Sequence, residues 1–458
     1  MNMSKTMCDE ALSCLLGLSV FSGLRTNPLM KAFEKLLLEA AKNQNEPLNL
    51  IKAWADFTSV YIKENQCNSF YMKLLELILS DENTFTLSAE RGEFKEKSLL
   101  ASLTRSDLRR LSIIGDFDIP MLALSIADIL WEAGCKDCAK LIEEGVQSLG
   151  ELKADNETIE SGVFPYVMLE TQNPASFAAF VRENGAGSLS KHHFFHWKTE
   201  AGLLPALNPD TISLGNLSGY EDQRQIVVNN TLRFLEGRGG NNVLLYGDRG
   251  TGKSATVKAI AHNFAPRGLR LVEVRKQDID ELPEILGFLS RRGLYFVLFI
   301  DDLSFESQND SFNTTKALLE GGIETKPENV VIYATSNRRH LVKEKSQDRP
   351  DGAAAAASVA SGDMRAFDTM QEQLSLADRF GITVVFASPN QNEFLKIAEF
   401  LAQERGLLGK KQEKADAERL KKFRDNALKW ERWFNGRSPR TARQYIDWLS
   451  GGENFPWE

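Results

Sequence analysis

Long apolar runs are the first feature that this 458-residue sequence lacks. No stretch reaches the roughly 18 uncharged apolar residues that a membrane-spanning helix needs. The amino-terminal run is interrupted by Asp9 and Glu10 and has no convincing small-residue cleavage site, so it predicts an amphipathic helix rather than a signal peptide. We therefore expect no membrane association and, by default, a cytoplasmic location.

Cysteine is also scarce. The five cysteines are an odd number in a long chain, which argues against a disulfide framework. Cys135 and Cys138 form a CxxC without a second Cys or His pair at zinc-ribbon spacing, so this pattern favours packing near a helix turn. His192, His193 and His196 would share one face if the segment were helical, but no acidic or cysteine partner accompanies them at a fitting spacing. Neither group predicts a metal site.

A strong positive charge is absent as well. The formal net charge of -8 argues against a protein that coats nucleic acid or binds membranes through polybasic segments, although a local basic patch remains open. The apolar fraction of 42% is ordinary for a globular protein. The length is sufficient for two or three domains.

Hydrophobic periodicity divides the chain into three parts. Residues 1–205 are mostly helical, because apolar residues recur every three or four positions in segments such as LMKAFEKLLLEAAK. In residues 206–389, after a linker that ends near Tyr220, the five strand-like runs NVLLY, RLVEV, YFVLFI, NVVIYAT and ITVVFA alternate with helices. Residues 390–458 are helical again. This order predicts an α/β domain with a parallel five-stranded sheet, preceded by a helical region and followed by a small helical domain.

The strongest motif is GDRGTGKS, a complete GxxxxGKS between a strand-like and a helix-like segment. Glycines let the backbone wrap around phosphate oxygens, and the following helix offers free N–H groups and its positive end. Lys253 is expected to neutralise the β- and γ-phosphates, and Ser254 to place its hydroxyl on Mg²⁺. The predicted nucleotide-binding residues of this loop are Gly247, Asp248, Arg249, Gly250, Thr251, Gly252, Lys253, Ser254 and Ala255.

Polar residues follow the next two predicted strands. YFVLFIDDL ends in Asp301 and Asp302, where Asp301 would hold the Mg²⁺ and Asp302 would orient the attacking water. Helix capping by the acidic pair is the structural alternative. NVVIYATSN brings Asn337, which would reach the γ-phosphate or that water, with Thr335 as a weaker candidate; an ordinary turn is the alternative for the asparagine.

Two arginine-bearing segments complete the set. Arg379 in SLADRFG is a candidate for stabilising charge on the γ-phosphoryl group, acting on a neighbouring subunit if it points away from its own loop; a surface ion pair is the alternative. In GRSPRTARQYIDWL, Ser438 is a predicted N-cap, and either Arg440 or Arg443 can bend over the nucleotide. The basic stretch around them is either a solvated face or a surface for an acidic partner such as nucleic acid.

Taken together, these motifs resemble an AAA+ ATPase module, from about Leu214 to Leu449. Within that superfamily they are similar to a bacterial family called domain of unknown function 815. The segments that carry this likeness are LSGYEDQRQIVVNNTLRFLEGRGGNNVLLYGDRGTGKS, IDDLSFE, ATSNRRHLVKE, SLADRFG and RTARQYIDWL. The helical amino-terminal half lies outside it.

The resemblance implies a role for each motif. It makes GDRGTGKS the Walker A loop, Asp301 and Asp302 Walker B, Asn337 sensor 1, Arg379 an arginine finger and Arg440 sensor 2. It also implies an adenine pocket lined by residues from Leu217 to Tyr220, and assembly into a homo-oligomeric ring such as a hexamer. Many AAA+ proteins have glutamate where this chain has Asp302, and the shorter side chain suggests slow hydrolysis. Glu306 is a weaker substitute, because it lies a full turn beyond the strand end.

The sequence therefore predicts an AAA+ ATPase that binds ATP and Mg²⁺ and couples hydrolysis to conformational change in a partner. The amino-terminal helices would select that partner, which is an unidentified protein. The rival hypothesis is a nucleotide-gated switch or scaffold with little hydrolysis, which the short Asp302 favours. A small-molecule kinase is weaker, because nothing beyond the loop indicates an acceptor pocket.

Overall fold

We describe the chain from a computed structural model over residues 3–42, 46–64, 69–150, 171–303, 326–337, 379–408, 414–434 and 436–452. It divides into two compact units. Unit 1 comprises Met1–Lys191 and Arg292–Leu294, and unit 2 comprises His192–Arg291 and Tyr295–Glu458. Glu306 lies outside the described residues. So does the segment 344–367, whose Pro, Gly and Ser residues and run of five alanines predict a surface loop. None of the described helices is both long and apolar enough to cross a membrane.

Unit 1 is helical, as its apolar periodicity predicted. Its helices are α1 (Met3–Leu16), α2 (Pro28–Ala40), α3 (Pro47–Glu64), α4 (Phe70–Ser80), α5 (Thr84–Glu90), α6 (Leu99–Gly115), α7 (Ile119–Glu132), α8 (Lys136–Gly150), α9 (Pro174–Asn184) and α10 (Ser188–Lys191). Side-chain caps fix several starts, for example Asn27 on α2 and Ser98 on α6. Phe33, Phe57 and Phe70 pack against one another in its core.

The short segment Arg292–Leu294 joins unit 1 through a buried ion pair. The Arg292 guanidinium donates to both carboxylate oxygens of Glu90 at 2.8 Å, and Glu90 also accepts from the backbone N–H groups of Ala186 and Gly293. The carboxylate is 0% exposed. Such complete hydrogen bonding is what a buried charge requires.

Unit 2 contains a mostly parallel sheet. Its strands are β1 (Phe194–Lys198), β2 (Gly202–Pro205), β3 (Val243–Gly247), β4 (Leu269–Glu273), β5 (Tyr295–Ile300), β6 (Val330–Ser336) and β7 (Ile382–Phe386). The strand order is β2-β1-β4-β5-β6-β3-β7. The helices between the strands are α11 (Glu221–Leu235), α12 (Lys253–Phe264) and α13 (Leu282–Leu289). Every residue of β3 and β6 is buried, as expected for strands covered on both faces.

The α/β class is confirmed, but the expected five strands were too few. The described residues form seven strands, because β1 and β2 add an antiparallel hairpin and β1 pairs in parallel with β4. The segment with His192, His193 and His196 therefore leads into a strand, and His196 lies on β1. The two units divide between Lys191 and His192.

A small helical domain ends unit 2 and lies over the nucleotide-loop side of the sheet. It consists of α14 (Gln391–Glu404), α15 (Lys414–Trp433) and α16 (Pro439–Gly451). Asn390 and Glu393 form a reciprocal capping box on α14, and the Ser438 hydroxyl caps α16 by accepting from the Thr441 N–H. Phe394, Trp430 and Tyr445 contribute to its separate core. We call this domain the lid.

Candidate nucleotide site

The site forms where three neighbouring parallel strands end. β6 lies between β5 and β3, and the pairs Ile300–Ala334 and Tyr246–Ser336 keep the three carboxyl ends level. The loop after β3, the acidic pair after β5 and Asn337 after β6 consequently meet at one edge. Ligands of open α/β sheets bind outside this edge.

Lys253 is the first residue of α12 and is only 5% exposed. Its ammonium group donates to the carbonyl oxygens of Gly247 at 2.9 Å and Asp248 at 2.6 Å. Burial lowers the pKa of Lys253 to about 8, although Asp248, Asp301 and Asp302 act in the opposite direction. The loop therefore holds a desolvated cation at the start of a helix, where the helix dipole already favours anions.

Asp301 connects the loop to the neighbouring strand. Its Oδ1 accepts from the Ser254 hydroxyl at 2.6 Å and from the Thr335 hydroxyl at 2.5 Å. Thr335 is 2% exposed and also accepts from the backbone N–H of Asp302 at 2.8 Å. Thr335 thus hydrogen-bonds to both acidic residues and holds them together at the end of β5.

Asp302 occupies an unusual backbone conformation, with a positive φ of 52°. Left-handed geometry costs a non-glycine residue roughly 1–2 kcal/mol and, where it persists, is over-determined by its surroundings. Here Asn337 donates to Oδ1 at 2.7 Å and the Lys276 ammonium lies 3.2 Å from Oδ2. Both carboxylate oxygens are therefore engaged within the protein.

A cavity of about 570 Å³ extends from this edge to the lid. Arg440 and Arg443 line it from α16, and the Arg440 backbone N–H donates to the Gly250 carbonyl at 3.2 Å. Tyr220 lines it from the segment before α11, with its hydroxyl donating to the Ala387 carbonyl at 2.6 Å. Arg440 and Arg443 both face the cavity, so the choice between them stays open.

Most of the predicted loop lines the cavity, but its first two residues do not. The lining includes Arg249 through Thr256, together with Asp301, Asp302 and Asn337. The Asp248 carboxylate instead accepts from the Ser388 N–H at 3.0 Å and its hydroxyl at 2.7 Å. Asp248 thus ties the loop to the segment after β7.

Arg379 lies apart from the cavity lining. It precedes β7, whose first residue, Ile382, pairs with Val243 at the amino end of β3, whereas Phe386 pairs with Gly247 at the loop end. Four residues of strand, roughly 13 Å at about 3.3 Å per residue, separate these two edges. The structure therefore does not bring Arg379 together with the other predicted site residues.

Comparison with protein-family models identifies the family of this chain. The model described as "Protein of unknown function (DUF815)" matches residues 190–453, which is more than half of the chain. The chain belongs to this family. The predicted resemblance to this family is confirmed.

Solved structures similar to this DUF815 chain include RuvB proteins of Thermotoga maritima. Two point variants have 19% and 17% identity, TM-scores of 0.34 and 0.33, and cover 52% and 54% of this chain and 64% and 66% of theirs. A third structure, titled as the RuvB Holliday junction branch migration motor, has 16% identity, a TM-score of 0.29, and covers 52% of this chain and 72% of its own. The similarity thus spans about two-thirds of those proteins. No curated protein matches.

The cavity of this DUF815 protein is also lined by residues that the sequence motifs did not predict. Ile212 and Asn216 come from the segment taken as a linker, and Ile397 and Leu401 from α14. The apolar periodicity of α14 predicted its helix but not the direction of its buried face. Lys276, which pairs with Asp302, follows β4 and carries no motif that could have revealed its partner.

The described residues also include the cysteine and histidine groups considered above as metal ligands. No cluster of three or more His, Cys, Asp or Glu side chains suited to a metal ion occurs among them. Cys135 and Cys138 are free thiols, and the His196 imidazole lies 3.5 Å from Glu273 across β1 and β4.

Proposed function

We propose that this DUF815 protein is an ATPase whose nucleotide lies in the cavity between the loop after β3 and the lid. One observation carries the proposal: the Ser254 hydroxyl and the Asp301 carboxylate lie 2.6 Å apart, beside buried Lys253. This places a cation, a hydroxyl and a carboxylate around one phosphate-sized space. The position of the GDRGTGKS loop between β3 and α12 supports it.

The residues present fit ATP and Mg²⁺. Lys253 and the backbone N–H groups at the start of α12 would hold the phosphates, while Ser254 and Asp301 provide the oxygen ligands that Mg²⁺ prefers. Bound Mg²⁺ would neutralise charge on the β- and γ-phosphates. The base would lie toward Tyr220, Ile397 and Leu401, because these are aromatic and aliphatic side chains of the cavity lining.

Hydrolysis requires a water aligned with the γ-phosphate. Asp302 is the residue we assign to orient that water, with Asn337 holding the carboxylate at 2.7 Å. Arg440 or Arg443 would couple the phosphates to the lid, because both reach the cavity from α16. Loss of the γ-phosphate would then alter the position of the lid.

Arg379 is assigned to the active site of a neighbouring copy. The cavity of the same chain lies at the opposite edge of the sheet from Arg379. An arginine finger at position 379 therefore acts in trans, on the nucleotide of a neighbouring chain. A closed homo-oligomeric ring, such as a hexamer, supplies each site with such a residue. The partner whose conformation is changed would be a protein selected by unit 1; the basic lid leaves nucleic acid as the alternative.

Phosphate release from ATP tests the proposal. The parent protein is expected to release phosphate, whereas Lys253→Ala should lose at least about tenfold in rate, because the loop loses its cation. Lys258→Ala is the matched control, since this lysine lies on α12 outside the cavity lining. Equal rates for the parent and Lys253→Ala would refute an ATPase.

A nucleotide-gated switch is the second candidate, because the observed contacts of Asp302 favour it. Both carboxylate oxygens are engaged, by Asn337 and Lys276, and the side chain is one methylene shorter than glutamate. The switch hypothesis predicts that the parent binds ATP and that Lys253→Ala does not. It also predicts that the parent releases phosphate no faster than Lys253→Ala. The same two proteins, measured for both binding and release, therefore separate the two functions.

A further inference from the structure

A cavity in unit 1 has a chemical character that the nucleotide site does not explain. Its volume is about 580 Å³, and it lies between α6 and the segment that leads into α9. One face of α6 contributes Ser102, Arg105, Ser106 and Arg109, which recur at three- and four-residue spacing and so lie side by side. Asn173 lines the opposite side.

The two arginines have no acidic partner among the described residues. Arg105 and Arg109 are exposed, and neither guanidinium group makes an ion pair or hydrogen bond with any part of the chain that the structure describes. The neighbouring Arg110, by contrast, pairs with buried Asp107 at 3.2 Å. Two guanidinium groups one helical turn apart repel each other, so an anion between them would relieve that repulsion.

The other lining groups add hydrogen-bond donors. The Ser106 hydroxyl accepts from Arg110 at 2.7 Å, which leaves its own proton for another acceptor. The Asn173 side-chain oxygen accepts from the Ala175 N–H at 3.0 Å, which leaves its NH₂ group free to donate toward the cavity. Among the described residues of the lining, Glu96 is the one carboxylate. The lining offers more hydrogen-bond donors than the two oxygens of a carboxylate ligand can accept from. A phosphate monoester has three terminal oxygens and so uses more of these donors.

We propose that this cavity binds a phosphorylated serine or threonine side chain of a partner polypeptide. Paired guanidinium groups recognise phosphate through bidentate, charge-assisted hydrogen bonds. A nucleic acid fits less well, because it binds through a long series of backbone phosphates, whereas the described lining of this site offers two cations with a carboxylate beside them. The net charge of the whole chain, -8, also disfavours a polyanion.

Binding of a fluorescent nonapeptide of glycine and alanine with one central phosphoserine tests the site on the full chain. The parent should bind it with a Kd below about 1 mM, and Arg105→Ala/Arg109→Ala should weaken binding at least about tenfold. Arg105→Lys/Arg109→Lys should bind with intermediate strength, because ammonium groups keep the charge but lose the bidentate geometry. Lys31→Ala/Lys52→Ala, which removes the same charge elsewhere in unit 1, should leave the Kd within about twofold.

Three further arms separate this site from other sources of binding. The unphosphorylated peptide should not bind, and the glutamate peptide and inorganic phosphate should each bind at least about tenfold more weakly. The phosphopeptide Kd should be the same in Lys253→Ala, which excludes capture by the nucleotide loop. No binding by the parent, equal binding by Arg105→Ala/Arg109→Ala, or equal binding of the glutamate peptide would overturn the proposal. None of these outcomes depends on ATP hydrolysis.

Discussion

At the residue scale, burial determines how Lys253 responds to pH. Its pKa is lowered to about 8, so the free site changes from charged to neutral as the pH rises through that value. The phosphates of ATP stabilise the charged form and would raise this pKa on binding. ATP affinity is therefore expected to be nearly constant well below pH 8 and to fall above it, and binding near that pH should take up protons.

Calorimetric titration in two buffers of different ionisation enthalpy measures this proton uptake. Lys253→Arg is the useful comparison, because a guanidinium does not titrate in this range and should show no uptake from the loop. An ATP affinity that is unchanged between about pH 7 and pH 9 would contradict the assigned protonation behaviour of Lys253.

The same scale shows what motifs can and cannot predict. The sequence predicted that Lys253, Asp301 and Asn337 lie at one edge of the sheet, because each follows a predicted strand and parallel strands bring their carboxyl ends together. The contact between Lys276 and Asp302 did not, because β4 and β5 must first pair in a particular register. Asp248 belonged to the motif, yet its carboxylate turned toward Ser388.

At the element scale, the hairpin of β1 and β2 is the clearest difference from the sequence prediction. FFHWK is apolar at Phe194, Phe195 and Trp197, so its alternation is broken at the first pair and it was not recognised as a strand. Its partner, GLLP, is only four residues long and was read as part of the linker. Two contacts with residues distant in the sequence stabilise β1: its pairing with β4, and the hydrogen bond that the Trp197 indole donates to Glu281 at 2.6 Å. A local sequence pattern reveals neither contact.

The contact between the loop and the lid also belongs to this scale. Gly250 has a φ of 77°, and a Cβ there would lie 3.1 Å from both the Arg440 Cβ and the Ser438 hydroxyl. Gly252 has a φ of 92°, but a Cβ there would meet nothing within 4 Å. The two glycines therefore differ in crowding rather than in backbone conformation.

Gly252→Ala should lower the free energy of unfolding by about 1–2 kcal/mol, because alanine is strained at positive φ. Gly250→Ala should cost more, since it adds the same strain and also displaces α16 from the loop. Denaturant unfolding without nucleotide compares the two directly. If both substitutions lower the free energy equally, the loop and the lid are not packed as described.

At the scale of the whole molecule, the account depends on a second copy of the chain. Arg379 and the candidate nucleotide cavity lie at opposite edges of one sheet, so under the proposed function one chain would carry both parts of a site that two chains complete. Unit 1 adds a helical domain that contains none of the nucleotide motifs. The sequence predicted a helical region ahead of an α/β domain; the partner of unit 1 and the number of subunits depend on surfaces that no motif describes.

Phosphate release by a mixture of two inactive variants is the most direct test of the central claim. Lys253→Ala lacks a working loop but keeps Arg379, and Arg379→Ala has the opposite defect. We predict that the parent is active, that each variant alone is not, and that the mixture regains activity, because Lys253→Ala chains supply Arg379 to intact loops. A mixture as inactive as its components, although light scattering shows that both assemble, would contradict a site completed by a neighbouring chain.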